Sequence, residues 1–185
     1  MVADEIHDTT IRAIFGSNMI ERAGLGWDIT ASLCREVFAG NSISDIPEEG
    51  AIDSYREQQP DLKNQSDRDI SRARSEVIQH AKAYEHLVRA FVIEQRDLSE
   101  DLIKETHKIL TRGVPIIQHG FPDIQPGEYG GIYRKVAVAA GNTNFTVPKF
   151  VPAKMKEMCE ELCQELATAE EGASSIPSPS RPSTR

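Results

Sequence analysis

The segment 67–94 constrains the fold most, because its apolar residues recur at steps of three and four. The recurring positions are Ile70, Ala73, Val77, Ile78, Ala81, Tyr84, Leu87, Val88, Phe91 and Val92. A helix with so wide an apolar stripe is stable in water only when other elements cover the stripe. We therefore expect a long central helix with the rest of the fold packed around it.

Four other segments have helical spacing, and together they predict a mainly α fold. They are residues 3–15, 30–38 and 99–112, and a last helix that opens at Pro152. Gly16 is expected to end the first of them. Ser99 is expected to cap the third through its hydroxyl, and Gly113 to stop it in a left-handed conformation.

Residues 40–66 are predicted to form a long polar loop, since glycine and proline punctuate a stretch with few large apolar side chains. A brief helical turn over 51–58 is the alternative. Residues 1–170 are interpreted as one domain that includes this loop. Residues 171–185 are rich in serine and proline and carry no core-forming face, so they are expected to be a disordered tail.

One β-hairpin is predicted within this helical chain. Short β-prone runs at 132–139 and 144–147 flank the residues 140–143, which include Gly141 and Asn142. Both of these residues readily adopt positive φ, so a hairpin with a loop of about four residues is indicated. An isolated hairpin has two exposed edges, and such an edge can accept an extended peptide as an added strand.

The charge balance argues against nucleic-acid binding. The chain has 185 residues, with 29 acidic against 21 basic side chains and a formal net charge of −8. Nucleic-acid binding relies on Lys and Arg that displace counterions. The only dense basic stretch, Arg68, Arg72 and Arg74, alternates with acidic residues and is interpreted as a solvated helix face.

Compartment and metal content are inferred from apolar runs and cysteines. No run of about 18 apolar residues is present, so no membrane partner is expected. Residues 1–8 have no apolar core of a signal peptide, and a cytoplasmic location is therefore expected. The three cysteines, Cys34, Cys159 and Cys163, are too few for a disulfide framework or a tetrahedral zinc site. They are interpreted as packing residues, and no metal site is predicted.

Two stretches together resemble the Fic (Fido) family. Residues 15–24, Phe-Gly-Ser-Asn-Met-Ile-Glu-Arg-Ala-Gly, resemble its inhibitory helix motif S/T-x-x-x-E-G/N, with Arg22 where the family has Gly or Asn. Residues 126–138, Pro-Gly-Glu-Tyr-Gly-Gly-Ile-Tyr-Arg-Lys-Val-Ala-Val, resemble the Gly-x-Tyr-Arg segment that leads into the family's flap hairpin. The resemblance extends over about residues 11–166.

The resemblance implies a role in AMP transfer from ATP to a hydroxyl of a protein target. It implies that Ser17 and Glu21 form the inhibitory motif. It also implies a set of flap residues that contact the target: Arg134, Val136, Val138, Thr143, Asn144 and Phe145. ATP and Mg²⁺ are the cofactors that the family uses.

The family's catalytic segment, H-x-F-x-D/E-G-N-G-R, does not occur in these 185 residues. Residues 119–123, His-Gly-Phe-Pro-Asp, have the His and Phe but precede the flap and lack the Gly-Asn-Gly-Arg run. Residues 141–144, Gly-Asn-Thr-Asn, lack both His and Arg. The resemblance thus implies a truncated Fic-like fragment with no catalytic residues, which does not bind ATP and Mg²⁺ productively.

Two alternatives remain open at the sequence level. In the first, the chain is a noncatalytic protein-binding module that captures an extended peptide at the hairpin edge. In the second, it is a helical fragment without an independent function, or an artefact of the gene model. The identity of the target and the oligomeric state do not follow from the residues.

Overall fold

The structure, a computed structural model, describes residues 2–21, 23–117 and 120–174 and is mainly helical with one small hairpin. The α-helices are α1 (Val2–Ile20), α2 (Trp27–Phe38), α3 (Ala51–Gln58), α4 (Asp67–Val88), α5 (Glu100–Leu110), α6 (Pro126–Tyr129) and α7 (Val151–Ser174). A π-helical turn (Arg89–Ile93) continues α4, and short 3₁₀ turns cover Pro60–Asn64 and Pro148–Phe150. The strands β1 (Ala139–Ala140) and β2 (Thr143–Asn144) pair antiparallel. The predicted fold class is confirmed.

The chain divides into two compact units. Unit 1 comprises Met1–Arg96 and Ile103–Ile132, and unit 2 comprises Asp97–Leu102 and Tyr133–Arg185. The hairpin and α7 therefore belong to a different compact unit from the helices α1 to α4.

The core of unit 1 forms where α1, α2 and α4 pack on one another. Its fully buried side chains include Ile11, Ile14, Ile70 and Ile78. Each buried side chain of this size contributes about 2 kcal/mol of transfer free energy. The prediction of a central helix is thus confirmed for α4, which begins at the hydroxyl of Ser66, an acceptor for the Asp69 amide at 3.2 Å.

The apolar stripe of α4 is not buried to its end. Val88 and Phe91 are partly exposed, and Val92 and Ile93 are 66% and 73% exposed. Two residues beyond the π-helical turn lies Gln95, a non-glycine residue with a φ of 52°. Its side-chain amide donates to the Val92 carbonyl at 2.7 Å, and this bond satisfies a carbonyl that the ending helix leaves open.

The expected stop at Gly16 is wrong, because α1 continues to Ile20. A glycine inside a helix costs only about 1 kcal/mol. Ile11, Ile14 and Asn18 lie on one face of α1 and are all buried, so packing on both sides of Gly16 offsets that cost.

The loop predicted over 40–66 is wrong for its second half, where α3 and a 3₁₀ turn occur. The alternative of a helical turn over 51–58 is confirmed. Ile52 and Tyr55, three residues apart, pack against the core of unit 1, and Leu62 is fully buried. These apolar contacts outweigh a local composition that favours a loop.

The hairpin of unit 2 is shorter than predicted. Its strands have two residues each, and two residues, Gly141 and Asn142, connect them instead of four. Gly141 has a φ of 55°, as a tight two-residue hairpin turn requires at its first central position. All residues from Lys135 to Val147 are exposed, so no packing extends the pairing.

The last helix runs further than predicted, because the backbone of residues 171–174 is still in α7. The rest of the expected disordered tail, 175–185, lies outside the described residues. In the ranges that the structure describes, no helix is both long enough and apolar enough to cross a membrane.

Two isoleucines of α1 test the core directly. Ile14→Ala should lower the free energy of unfolding by about 2–5 kcal/mol, since Ile14 is 0% exposed and its truncation leaves a cavity. Ile20→Ala is the matched control, because Ile20 is 82% exposed and its loss should change stability by less than about 0.5 kcal/mol. Urea denaturation followed by circular dichroism measures both. Equal effects would contradict the packing of α1.

Candidate functional site

The segment before the hairpin is positioned by a short helix and by Gly131, both in unit 1. Glu128 closes a capping box on α6, where its carboxylate accepts from the Gln125 amide at 2.8 Å. Gly131 then passes close to α5 with a φ of 70°, and its amide donates to His107 Nδ1 at 3.1 Å. A Cβ on Gly131 would lie 2.9 Å from the carbonyl oxygen of Lys104. The approach thus requires glycine.

Tyr133, in unit 2, anchors the segment that leads into the hairpin. Its hydroxyl donates to Glu100 Oε1 at 2.7 Å. Burial, and then this hydrogen bond to the Glu100 carboxylate, raise the pKa of Tyr133 above its ordinary value. The phenol therefore stays protonated at neutral pH and keeps its role as the donor.

Arg134 joins the two arms of the hairpin. One guanidinium nitrogen, Nη1, donates to the Val136 carbonyl at 2.9 Å, and the other, Nη2, donates to the carbonyl of Thr146. Val136 precedes β1 and Thr146 follows β2, so a single planar cation ties both chain ends of the hairpin together.

The register of the hairpin decides which backbone groups face outward. Phe145 donates its amide to the Val138 carbonyl at 3.1 Å, and Ala139 pairs with Asn144. Because hydrogen-bonded and non-hydrogen-bonded pairs alternate, the N–H and C=O groups of Ala139 and Asn144 point away from the partner strand. Within the described residues, the outward groups of Ala139 have no hydrogen-bond partner.

The two edges of the hairpin differ. On the β2 side, Arg134 takes up the carbonyl of Thr146, two residues beyond Asn144. On the β1 side, no described side chain forms a hydrogen bond with the outward groups of Ala139, and the outward groups of Asn144 likewise have no bond. Because the Thr146 carbonyl is occupied, the β1 edge is favoured over the β2 edge for an added strand.

The predicted flap residues thus come together at one site in unit 2. These residues are Arg134, Val136, Val138, Thr143, Asn144 and Phe145. Three of them, Val136, Val138 and Phe145, expose large apolar side chains beside the hairpin. Apolar side chains next to free backbone groups are the features that peptide recognition by strand addition uses.

The predicted inhibitory residues lie in unit 1. Ser17 is in the last turn of α1 rather than at the start of a separate helix, and Glu21 follows the end of that turn. The Glu21 amide donates to the Ser17 carbonyl at 3.3 Å, and both residues are exposed. Arg22, where the motif departs from the family pattern, lies outside the described residues, as does His119.

Glu21 lines a polar cleft of about 230 Å³ together with Asp69, Arg72 and Glu76. Arg72 Nη2 lies 3.0 Å from Glu76 Oε1, and the Gly24 amide donates to Glu76 Oε2 at 3.1 Å. Three carboxylates and one guanidinium thus line the cleft; the guanidinium pairs with Glu76, and among the described residues Glu21 has no ion pair within 4.0 Å. The cleft has an excess of negative charge and can accept a further cationic group.

The cysteines are free thiols. Burial raises the pKa of Cys34 to about 11, so this thiol is protonated and unreactive at neutral pH. Cys159 is buried, and Cys163 Sγ lies 3.9 Å from the Leu98 carbonyl. In the part of the chain that the structure describes, no group of three or more His, Cys, Asp or Glu side chains is arranged to hold a metal ion.

Sequence reasoning did not single out Gly131, Tyr133 or Glu100 as site residues. The Gly-x-Tyr-Arg motif contains the first two of these residues. Gly131 is needed for the close approach to α5, and Tyr133 anchors the segment just before Arg134. Glu100 lies 33 residues from Tyr133 and has no sequence signal of its own.

Comparison of the chain with protein-family models, with curated proteins and with solved structures gives no match in any of the three. The resemblance to Fic proteins is therefore a prediction from the quoted motifs alone.

Gly131 and Gly127 provide a matched test of this geometry. Gly131→Ala should destabilise the protein by about 1–3 kcal/mol, because φ is positive and the new Cβ would meet the Lys104 carbonyl. Gly127→Ala should be neutral or slightly stabilising, because nothing lies within 4 Å of its Cβ position and it is in α6. Thermal denaturation measures both. A Gly131→Ala protein as stable as the wild type would rule out the close approach.

Proposed function

We propose that the chain is a Fic-like protein whose hairpin holds an extended segment of a protein target, next to the hydroxyl that receives AMP from ATP. The observation that carries this proposal is the bridge from Arg134 to the carbonyls of Val136 and Thr146. It gives the last residue of the Gly-x-Tyr-Arg motif a specific task, which is to organise the hairpin that follows it.

The chain contributes target binding and regulation to this reaction, and it contributes no catalytic group. Phosphoryl transfer needs a base, a metal ion and donors for the phosphates. The resemblance assigns all three to the H-x-F-x-D/E-G-N-G-R segment, which these 185 residues do not contain. Productive binding of ATP and Mg²⁺ therefore requires that segment from elsewhere.

Target binding proceeds by strand addition at the β1 edge. The outward N–H and C=O groups of Ala139 pair with the backbone of the target, which gives affinity with little dependence on sequence. Val138 and Phe145 offer exposed apolar side chains to the target residues that alternate along the added strand. The hydroxyl-bearing residue is thereby held in a fixed register.

Two proline substitutions test the choice of edge. Ala139→Pro removes an outward N–H from β1, and Asn144→Pro removes the matched N–H from β2. Neither amide takes part in the pairing of β1 with β2 in the observed register. Peptides selected from a displayed random library on the wild-type protein should bind Ala139→Pro about tenfold more weakly, and Asn144→Pro with little change. Isothermal titration calorimetry measures the affinities.

Hydrogen exchange on the same peptide complexes provides the second readout. The amide of Ala139 should become protected when a peptide is bound, because it then donates to the added strand. Loss of affinity in both proline variants would indicate that the hairpin had unfolded. Unchanged affinity in Ala139→Pro, or no protection of its amide in the wild type, would contradict strand addition at β1.

The cleft of Glu21 supports the proposed inhibitory role. Its negative charge suits the guanidinium that ends the catalytic segment, and a paired Glu21 would occupy the position of the ATP γ-phosphate, as the resemblance implies. Glu21 is exposed and unpaired within the described residues, so it is free to accept that partner.

This role predicts a gain of activity in a protein extended by the missing segment. In that protein, Glu21→Gly should increase the incorporation of label from α-labelled ATP by about tenfold or more, since it removes the competing carboxylate. Glu49→Gly is the control, because Glu49 is likewise exposed and outside a helix. If neither the extended protein nor its Glu21→Gly variant labels any protein, the AMP-transfer proposal fails.

The second candidate is a noncatalytic module that captures peptides. The observation that favours it is the free β1 edge within a chain that has no catalytic segment. Peptide binding that depends on Ala139, combined with no AMP transfer by the extended protein, would select this candidate.

A further inference from the structure

A second cleft lies in unit 1, between the N-terminal half of α1 and the end of α4. Its volume is about 500 Å³, within the range of about 300–1,000 Å³ that small-molecule sites occupy. Apolar side chains form its walls: Ile6, Phe38, Val88 and Ile93. The Phe38 ring stacks on His7 at a centroid distance of 4.9 Å, which fixes one wall. The cleft shares no lining residue with the hairpin or with the cleft of Glu21.

Two cationic side chains, Lys82 and Arg89, line this cleft, and both have N–H groups that donate no hydrogen bond to a described residue. Lys82 Nζ is 4.0 Å from the nearest carboxylate oxygen, of Asp45, which is too far for a hydrogen bond. Arg89 uses Nε for Glu94 at 3.0 Å, and its two terminal nitrogens donate to no described residue. Partly exposed ion pairs of this kind contribute little, so both cations can turn to a bound anion at low cost.

The acidic side chain in the lining is Glu85. Burial raises the pKa of Glu85, while the nearby His7 and Lys82 lower it, and burial is the larger effect. Glu85 is nevertheless exposed, so solvent screens its charge from an anion bound in the cleft. The apolar walls suit a ligand with an apolar body, and the free donors of Lys82 and Arg89 suit one negative charge on that ligand.

We propose that this cleft binds a small monocarboxylate with an aliphatic chain, of the medium-chain fatty acid class. The carboxylate accepts from Lys82 and from the terminal nitrogens of Arg89. The chain lies against Ile6, Val88 and Ile93 and covers part of the apolar surface that α4 and the π-helical turn leave exposed.

The test uses octanoate as the probe and octan-1-ol as its uncharged counterpart. Octanoate should bind the full chain with a stoichiometry of one, and about tenfold more tightly than octan-1-ol, because only the carboxylate forms charge-assisted hydrogen bonds. Isothermal titration calorimetry at neutral pH gives both constants. No octanoate binding up to about 1 mM, or equal affinity for the two probes, would overturn the proposal.

Two substitutions locate the site. Lys82→Met keeps an apolar stem but removes the ammonium, and should weaken octanoate binding about tenfold, whereas Lys63→Met, at an exposed lysine outside the cleft, should not. Ile93→Glu places a negative charge on the wall and should abolish binding. Ile93 is 73% exposed, so this variant should remain folded, as circular dichroism can verify. Unchanged affinity in either cleft variant would overturn the proposal.

The hairpin variant Ala139→Pro separates this proposal from the proposed function. It should bind octanoate like the wild type, because the cleft is lined by residues 6–93 alone. A parallel loss of octanoate binding in Ala139→Pro would place the octanoate site outside the cleft and overturn the assignment.

Discussion

The burial of one face of α4 against α1 and α2 is the constraint on which the rest of unit 1 depends. This contact also sequesters polar groups, and most of them find partners. Thr30 donates its hydroxyl to the Leu25 carbonyl at 2.9 Å, and Arg74 donates to the Ser44 carbonyl at 2.9 Å. The second bond ties the segment after α2 to the central helix. Gln79 Oε1 is buried without a partner, at a cost of about 1–3 kcal/mol that the apolar core offsets.

In unit 2, hydrogen bonds support the hairpin instead of apolar packing. The hairpin has no apolar core, and the bonds of Arg134 and Tyr133 to backbone and carboxylate oxygens hold it in place. Solvent-accessible hydrogen bonds contribute about 1 kcal/mol each, so the hairpin is a low-stability element that can adapt to a partner. Its strands of two residues also limit edge-to-edge association between copies, which a long free edge would promote.

The sequence predicted those elements whose signals are local and strong. The stripe of α4 and the cap of α5, where the Leu102 amide donates to Ser99 Oγ at 3.2 Å, are found as predicted. Gly113 adopts the expected left-handed conformation, with a φ of 72°. The errors arose where tertiary packing outweighs local preference, as at Gly16 inside α1 and over 51–58, whose apolar contacts with the core have no periodic signal.

The candidate sites were predictable to different extents for the same reason. The hairpin was located by two β-prone runs that flank Gly141 and Asn142, because its residues act within a few positions of one another. The cleft beside His7 had no motif, because it combines residues of α1, the end of α2 and the end of α4 that are distant in sequence. Such a site depends on the packing of the three helices, which a single sequence does not encode as a short pattern.

The position of Glu21 follows from the same packing. Asn18, one residue after Ser17, is buried, and its side-chain oxygen lies 3.3 Å from His80 Nδ1 on α4. Burial lowers the pKa of His80, so the neutral ring is favoured at this contact. The end of α1 is therefore joined to the central helix three residues before Glu21. The proposed inhibitory role requires that the Glu21 carboxylate be held at a defined place, and the hydrogen bond of Asn18 next to the end of α1 supports that requirement.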